Sequence, residues 1–89
     1  MSKYSIVIDF GEYGYEWARV DTLAEAKKLA LEIVRIGCLG LENTKLSEDQ
    51  IKNIRVNIYK DDKEYYSRKL RGSYQKYLMW LNNKESNKQ

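Results

Sequence analysis

Between residues 20 and 23 the apolar side chains of this chain change period, and that change constrains the fold more than any other feature. Before it they recur at every second position. Tyr4, Ile6, Ile8 and Phe10 fall on one face of an extended segment, and Lys3, Ser5, Val7 and Asp9 on the other. The glycines of Gly11-Glu12-Tyr13-Gly14 supply a turn, and residues 15–20 alternate again. There Tyr15, Trp17 and Arg19 stand opposite Glu16, Ala18 and Val20. After the change, Leu23, Ala26, Leu29/Ala30 and Ile33/Val34 recur at helical spacing and make one apolar stripe. Lys27, Lys28, Glu32 and Arg35 lie mostly off it. Thr22 and Glu25 have capping-box spacing, and Gly37 suits the residue after a helix end. A hairpin therefore hands over directly to an amphipathic helix.

The second half repeats the sequence of elements. Residues 38–46 show no period, and Ser47-Glu48-Asp49-Gln50 has capping spacing that predicts a single helical turn. Ile54, Val56 and Ile58 alternate with Arg55, Asn57 and Tyr59 in a third strand. Asp61-Asp62 breaks it, and residues 63–70 form a fourth. Ser73 can cap a final helix over about 74–83, with Tyr74, Tyr77, Leu78 and Leu81 inward. The order β-β-α-β-β-α predicts an α+β two-layer sandwich: a four-stranded antiparallel sheet with two helices on one face. Strand order is left open. A chain of 89 residues buries roughly 60–65% of its unfolded surface, enough for one core. The expectation is a single domain over 1–83 and a polar tail over 84–89.

Composition removes most chemistries. Histidine is absent and cysteine occurs once, at Cys38. That excludes Ser–His and Cys–His nucleophiles, Cys/His zinc sites and any internal disulfide. Gly11-Glu12-Tyr13-Gly14 lacks phosphate-loop spacing and does not open a helix. Asp61 and Asp62 are read as turn residues rather than metal ligands, and Cys38 as an apolar filler. Asp9, Glu12 and Glu16 cluster at the first hairpin, but nothing marks a substrate pocket. No apolar run has the length of a signal peptide or a membrane span. The expectation is a cytoplasmic protein with no enzymatic activity, no cofactor, no metal site and no membrane association.

What remains is a surface. Residues 1–50 hold six Lys or Arg against nine Asp or Glu, whereas residues 51–89 hold ten against four. The chain also has eight Tyr, two Trp and one Phe, more aromatics than one small core can take. Trp17 and Trp80 are expected as part-buried supports. Tyr13, Tyr15, Tyr59 and one of Tyr65/Tyr66 are expected at the surface. Exposed Tyr beside Arg is enriched at protein-binding hot spots, and it also stacks on nucleobases. The candidate binding residues are Arg55, Tyr59, Tyr65, Tyr66, Arg68 and Lys69, on the second hairpin. The expected function is a small protein-binding module with a protein partner. The alternative is a nucleic-acid binder using a basic, Tyr-rich sheet face.

Tyr4-Ser5-Ile6-Val7-Ile8, the glycine turn and Asp21-Thr22-Leu23-Ala24-Glu25-Ala26 are similar to the opening of small HicB-type antitoxins. In those a strand and hairpin lead into a D-T-x-x-E-A helix. The likeness covers about a third of the chain, and the Pro-containing segment before the helix is missing, since the chain has no Pro. The resemblance therefore stops short of membership. The overall profile also resembles small accessory proteins of phages and mobile elements, including anti-CRISPR inhibitors. That likeness implies inhibition of a host protein by surface occlusion.

Overall fold

The first helix begins where its cap is. Thr22, in extended backbone, accepts a hydrogen bond from the Glu25 amide at 3.2 Å. This satisfies one of the donors that a helix start leaves unpaired. In the computed structural model, which describes residues 3–11 and 14–86, the chain runs β1 (Tyr4–Asp9), β2 (Gly14–Val20), α1 (Leu23–Ile36), α2 (Leu39–Glu42), α3 (Glu48–Asn53), β3 (Arg55–Lys60), β4 (Lys63–Lys69) and α4 (Gly72–Ser86). The fold is α+β, with two hairpins joined into one four-stranded antiparallel sheet. The capping turn expected at Ser47 is α3. Ser47 Oγ accepts from the Gln50 amide at 3.1 Å, and Gln50 Oε1 accepts from the Ser47 amide at 2.9 Å. The segment 38–46, read as irregular, holds the single turn α2.

The strand order is β2-β1-β3-β4. The two apolar strands, β1 and β3, lie side by side at the centre, with Ile6 opposite Ile58 and Ile8 opposite Val56. These four side chains are fully buried, together with Ile54, Ala26, Ala30 and Ile33. The inward stripes expected for both strands and for α1 are thus the core. Leu23, Leu29 and Val34 pack around it half-buried. α1 lies across this sheet face. α4 joins the helical layer through α1 and α3.

Each outer strand carries one residue more than its inner partner. The register of β2 on β1 shifts between Ile6 and Val7, which leaves Trp17 with no residue opposite. The register of β4 on β3 shifts between Ile58 and Tyr59 and leaves Tyr65 unmatched. These bulges reverse the side-chain alternation beyond them. The expected faces of β2 are corrected in consequence. Tyr15 lies opposite Ile8 on the helix side, stacked on Phe10 at 5.8 Å, while Glu16 lies opposite Val7 on the open face.

Two hairpin connections use unusual backbone. Asp61 and Asp62 both have positive φ, at 52° and 65°, as a tight two-residue turn between right-twisted strands requires. In the first hairpin, Gly11 has φ of 98°, and Asp9 Oδ1 accepts from its amide at 2.8 Å. Tyr13 and Glu12 lie outside the described residues. α4 continues to Ser86, so the segment expected as a polar tail begins inside a helix.

Candidate functional site

The register divides the six candidate residues between two surfaces. Arg55, Asn57 and Tyr59 of β3 face away from the helices, opposite Lys69, Ser67 and Glu64 of β4. Tyr66 pairs with Ile58 and Arg68 with Val56, so those two stand on the helix side. Tyr65, in the bulge, turns its ring edge-on to Tyr4 at 5.6 Å. The Lys63 ammonium lies 5.2 Å from the Tyr65 ring and the Arg68 guanidinium 5.8 Å from the Tyr66 ring.

The open sheet face bonds several of its polar groups to one another, and among the described residues the Asn57 side-chain oxygen is buried without a partner. Arg55 Nε donates to Ser67 Oγ at 2.8 Å. Asn57, only 3% exposed, donates to the Tyr59 hydroxyl at 3.2 Å and weakly to Asp9 at 3.4 Å. Arg19 Nε donates to Glu16 at 2.6 Å. That bond, and after it one from Ser5, holds the Glu16 carboxyl below the usual carboxylate range. Tyr59 is therefore half-buried and bonded, not a free exposed ring.

The helix side of β4 is different. Between α1 and this outer strand runs an open groove of about 570 Å³, lined by Lys27, Leu31, Val34, Arg35, Tyr66, Arg68, Lys69 and Arg71. Five of these are cations, Lys69 among them although its place opposite Arg55 sets it on the other face of β4. Among the described residues the ion pairs are Lys3–Asp21, Arg19–Glu16 and Lys52–Glu48, so none of the five has a carboxylate at ion-pair distance. The floor is apolar, with Leu31 41% exposed beside Val34 and Tyr66. An apolar floor with unpaired charge around it suits a ligand that is both anionic and partly apolar.

Lys27, Leu31, Val34, Arg35 and Arg71 were not among the expected site residues. The signal was present in part: positions 27, 31, 34 and 35 share one helix face, next to the core stripe. What the spacing lacks is the crossing of α1 over the sheet, which turns that face toward β4.

The two tryptophans, expected as part-buried supports, are both exposed, because Trp17 sits on a bulged outer strand and Trp80 on the free side of α4. Tyr77, expected inward, is exposed too. Of its described side chains α4 buries Tyr74 and Leu78, one turn apart, where it packs beside α1 and α3. Tyr77 stacks on Trp80 at 6.0 Å, and the Lys84 ammonium lies 5.0 Å from the Trp80 ring.

Around Cys38 two tyrosines are held protonated. Burial, and then the neighbouring Cys38, push the Tyr15 hydroxyl up from its ordinary pKa. Burial, and then the charge of Glu42, push Tyr74 further in the same direction. Among the described residues no three His, Cys, Asp or Glu side chains gather as metal ligands would. No helix among them is long and apolar enough to cross a membrane. Comparison with protein-family models, curated proteins and solved structures finds no match, so the likeness to HicB-type antitoxins rests on the opening residues alone.

Proposed function

We propose that this chain is a small non-enzymatic protein-binding module that holds an acidic surface of a partner protein in the groove between α1 and β4. The observation that carries the reading is the contrast between the two sides of the second hairpin. On the open face Arg55 bonds Ser67, and Asn57 bonds Tyr59 and Asp9. The groove leaves Lys27, Arg35, Arg68, Lys69 and Arg71 without carboxylates around an apolar floor. Unpaired like charges repel one another, and an anionic partner relieves that repulsion on binding. Such a module acts by occupancy, as an inhibitor does when it covers a working surface of its target. The cytoplasm is part of the same proposal. It is supported by the single cysteine and by the lack of a long apolar run in the sequence.

A second reading is nucleic-acid binding. It is favoured by Tyr65 and Tyr66, rings set among Lys63 and Arg68 along one strand, as single-strand binders arrange theirs. The test is a pull-down from host lysate with and without nuclease. It compares the wild-type chain with an Arg35→Glu/Arg68→Glu variant of unchanged melting temperature. Proteins retained by the wild type, lost by the variant and indifferent to nuclease support the protein reading. Loss on nuclease treatment favours the second reading. Identical retention by both chains overturns the groove as the binding surface.

A further inference from the structure

We infer that the groove accepts an extended acidic segment of the partner as a fifth strand, paired along the open edge of β4. This rests on the reading of the groove as the binding surface and adds the geometry of what enters it.

β4 ends the strand order, with β3 on its inner side and α1 above. Its outer row of backbone N–H and C=O groups has no strand beside it. Such a row is a template for an added strand, with main-chain hydrogen bonds giving affinity and alternate side chains giving specificity. The bulge at Tyr65 breaks the ladder, so regular pairing is available along 66–69.

Charge selects the occupant. From Lys27 to Arg35, α1 advances about 12 Å, the length of about four residues of strand, so about two alternate side chains of an added strand face α1 over that distance. Those side chains meet Lys27, Arg35 and Arg68 around Leu31 and Val34, which fits acidic residues alternating with apolar ones. A second copy of this chain is disfavoured, because its groove brings the same five cations to the same place. Cations on an outer strand commonly guard against pairing with like copies. Here the same charges repel a basic strand and admit an acidic one.

The test uses the whole chain and four probes followed by fluorescence anisotropy. The first is a peptide of about ten residues alternating Glu with Val. Two more have the same sequence, N-methylated at one or the other set of alternate backbone amides. The fourth is a single-stranded polythymidine. The expected result is that the parent peptide binds and one of the two N-methylated peptides loses about tenfold or more in affinity, since only one set of amides faces β4. Slower hydrogen exchange at β4 amides on binding is expected alongside. A Lys27→Glu/Arg68→Glu variant with an unchanged melting curve loses the parent peptide, while Lys52→Glu, outside the groove, does not. Equal binding of all three peptides overturns strand addition and leaves the basic groove standing. Binding of polythymidine alone overturns strand addition and the protein reading together. No binding of any probe overturns both as well.

Discussion

The ring of Tyr74 lies against the backbone of Gly37, in the space that a β-carbon at position 37 requires. Gly37 closes α1 with φ of 76°, and its amide donates to the Ile33 carbonyl at 2.9 Å. Only glycine satisfies both the left-handed backbone and the close approach. This contact is a principal attachment of α4 to α1. Gly37→Ala is expected to cost about 2–4 kcal/mol, combining backbone strain with displacement of the ring. Urea unfolding checks this, and a loss below about 1 kcal/mol would mean that α4 shifts without consequence.

The same ring sets an alkaline limit. Among the described residues the Tyr74 hydroxyl is buried with no hydrogen bond of good geometry, and the Cys38 backbone offsets its burial only weakly. Its pKa is raised above the ordinary 10.0, and that of Tyr15 is raised as well. A group whose folded pKa is raised contributes stability below its unfolded pKa and loses it as pH rises. Melting temperature is therefore expected to fall above about pH 10, as the unfolded chain ionises first. Tyr74→Phe is expected to flatten that fall and to leave stability at pH 7 equal or about 1 kcal/mol higher. Melting curves between neutral and alkaline pH decide it. An alkaline fall unchanged in Tyr74→Phe would assign it to other groups.

Two leucine-sized positions on α1 should respond oppositely. Ile33 is 1% exposed in the core, while Leu31 forms the groove floor. Ile33→Ala is expected to cost about 2–5 kcal/mol. Leu31→Ser is expected to stay within about 0.5 kcal/mol of the wild type. Chemical denaturation of the two variants side by side reads the orientation of the helix.

The turn between β3 and β4 can be relaxed. Asp62 holds φ of 65°, which costs a residue with a β-carbon and costs glycine little. Asp62→Gly is expected to raise stability by about 0.5–1 kcal/mol. A lower melting temperature would indicate that the Asp62 side chain contributes more than its backbone strain removes.

Local chemistry wrote the inner strands legibly and the outer ones only in part. Ile6, Ile8, Val56 and Ile58 alternate without interruption because β1 and β3 are buried on their helix side and carry no bulge. β2 and β4 each accept one extra residue, and the choice of Trp17 and Tyr65 depends on the partner strand rather than on neighbours in sequence. Every side chain past those points changes face, which is why Tyr15 and Glu16 exchange sides. The helix starts at Thr22 and Ser47 were readable because a cap is a contact within four residues, whereas the cap expected at Ser73 was not found, since α4 starts at Gly72 and takes Ser73 inside it. Strand order was not, because Ser5 pairs with Tyr59 across most of the chain. The groove falls between these cases: Lys27, Leu31 and Arg35 form a visible stripe, but only the crossing of α1 over the sheet brings them to Arg68.

That pairing of Ser5 with Tyr59 has a kinetic consequence. Each hairpin closes over a short turn and can form within microseconds, yet neither buries its apolar face alone. The core exists only once β1 meets β3, and everything from β2 to α3 lies in the loop that this meeting closes. The entropy of that closure falls before the burial of Ile6, Ile8, Val56 and Ile58 repays it. The central seam is thus the slow event of folding. Substitutions along it should slow folding, whereas changes confined to the attachment of α4 should chiefly hasten unfolding.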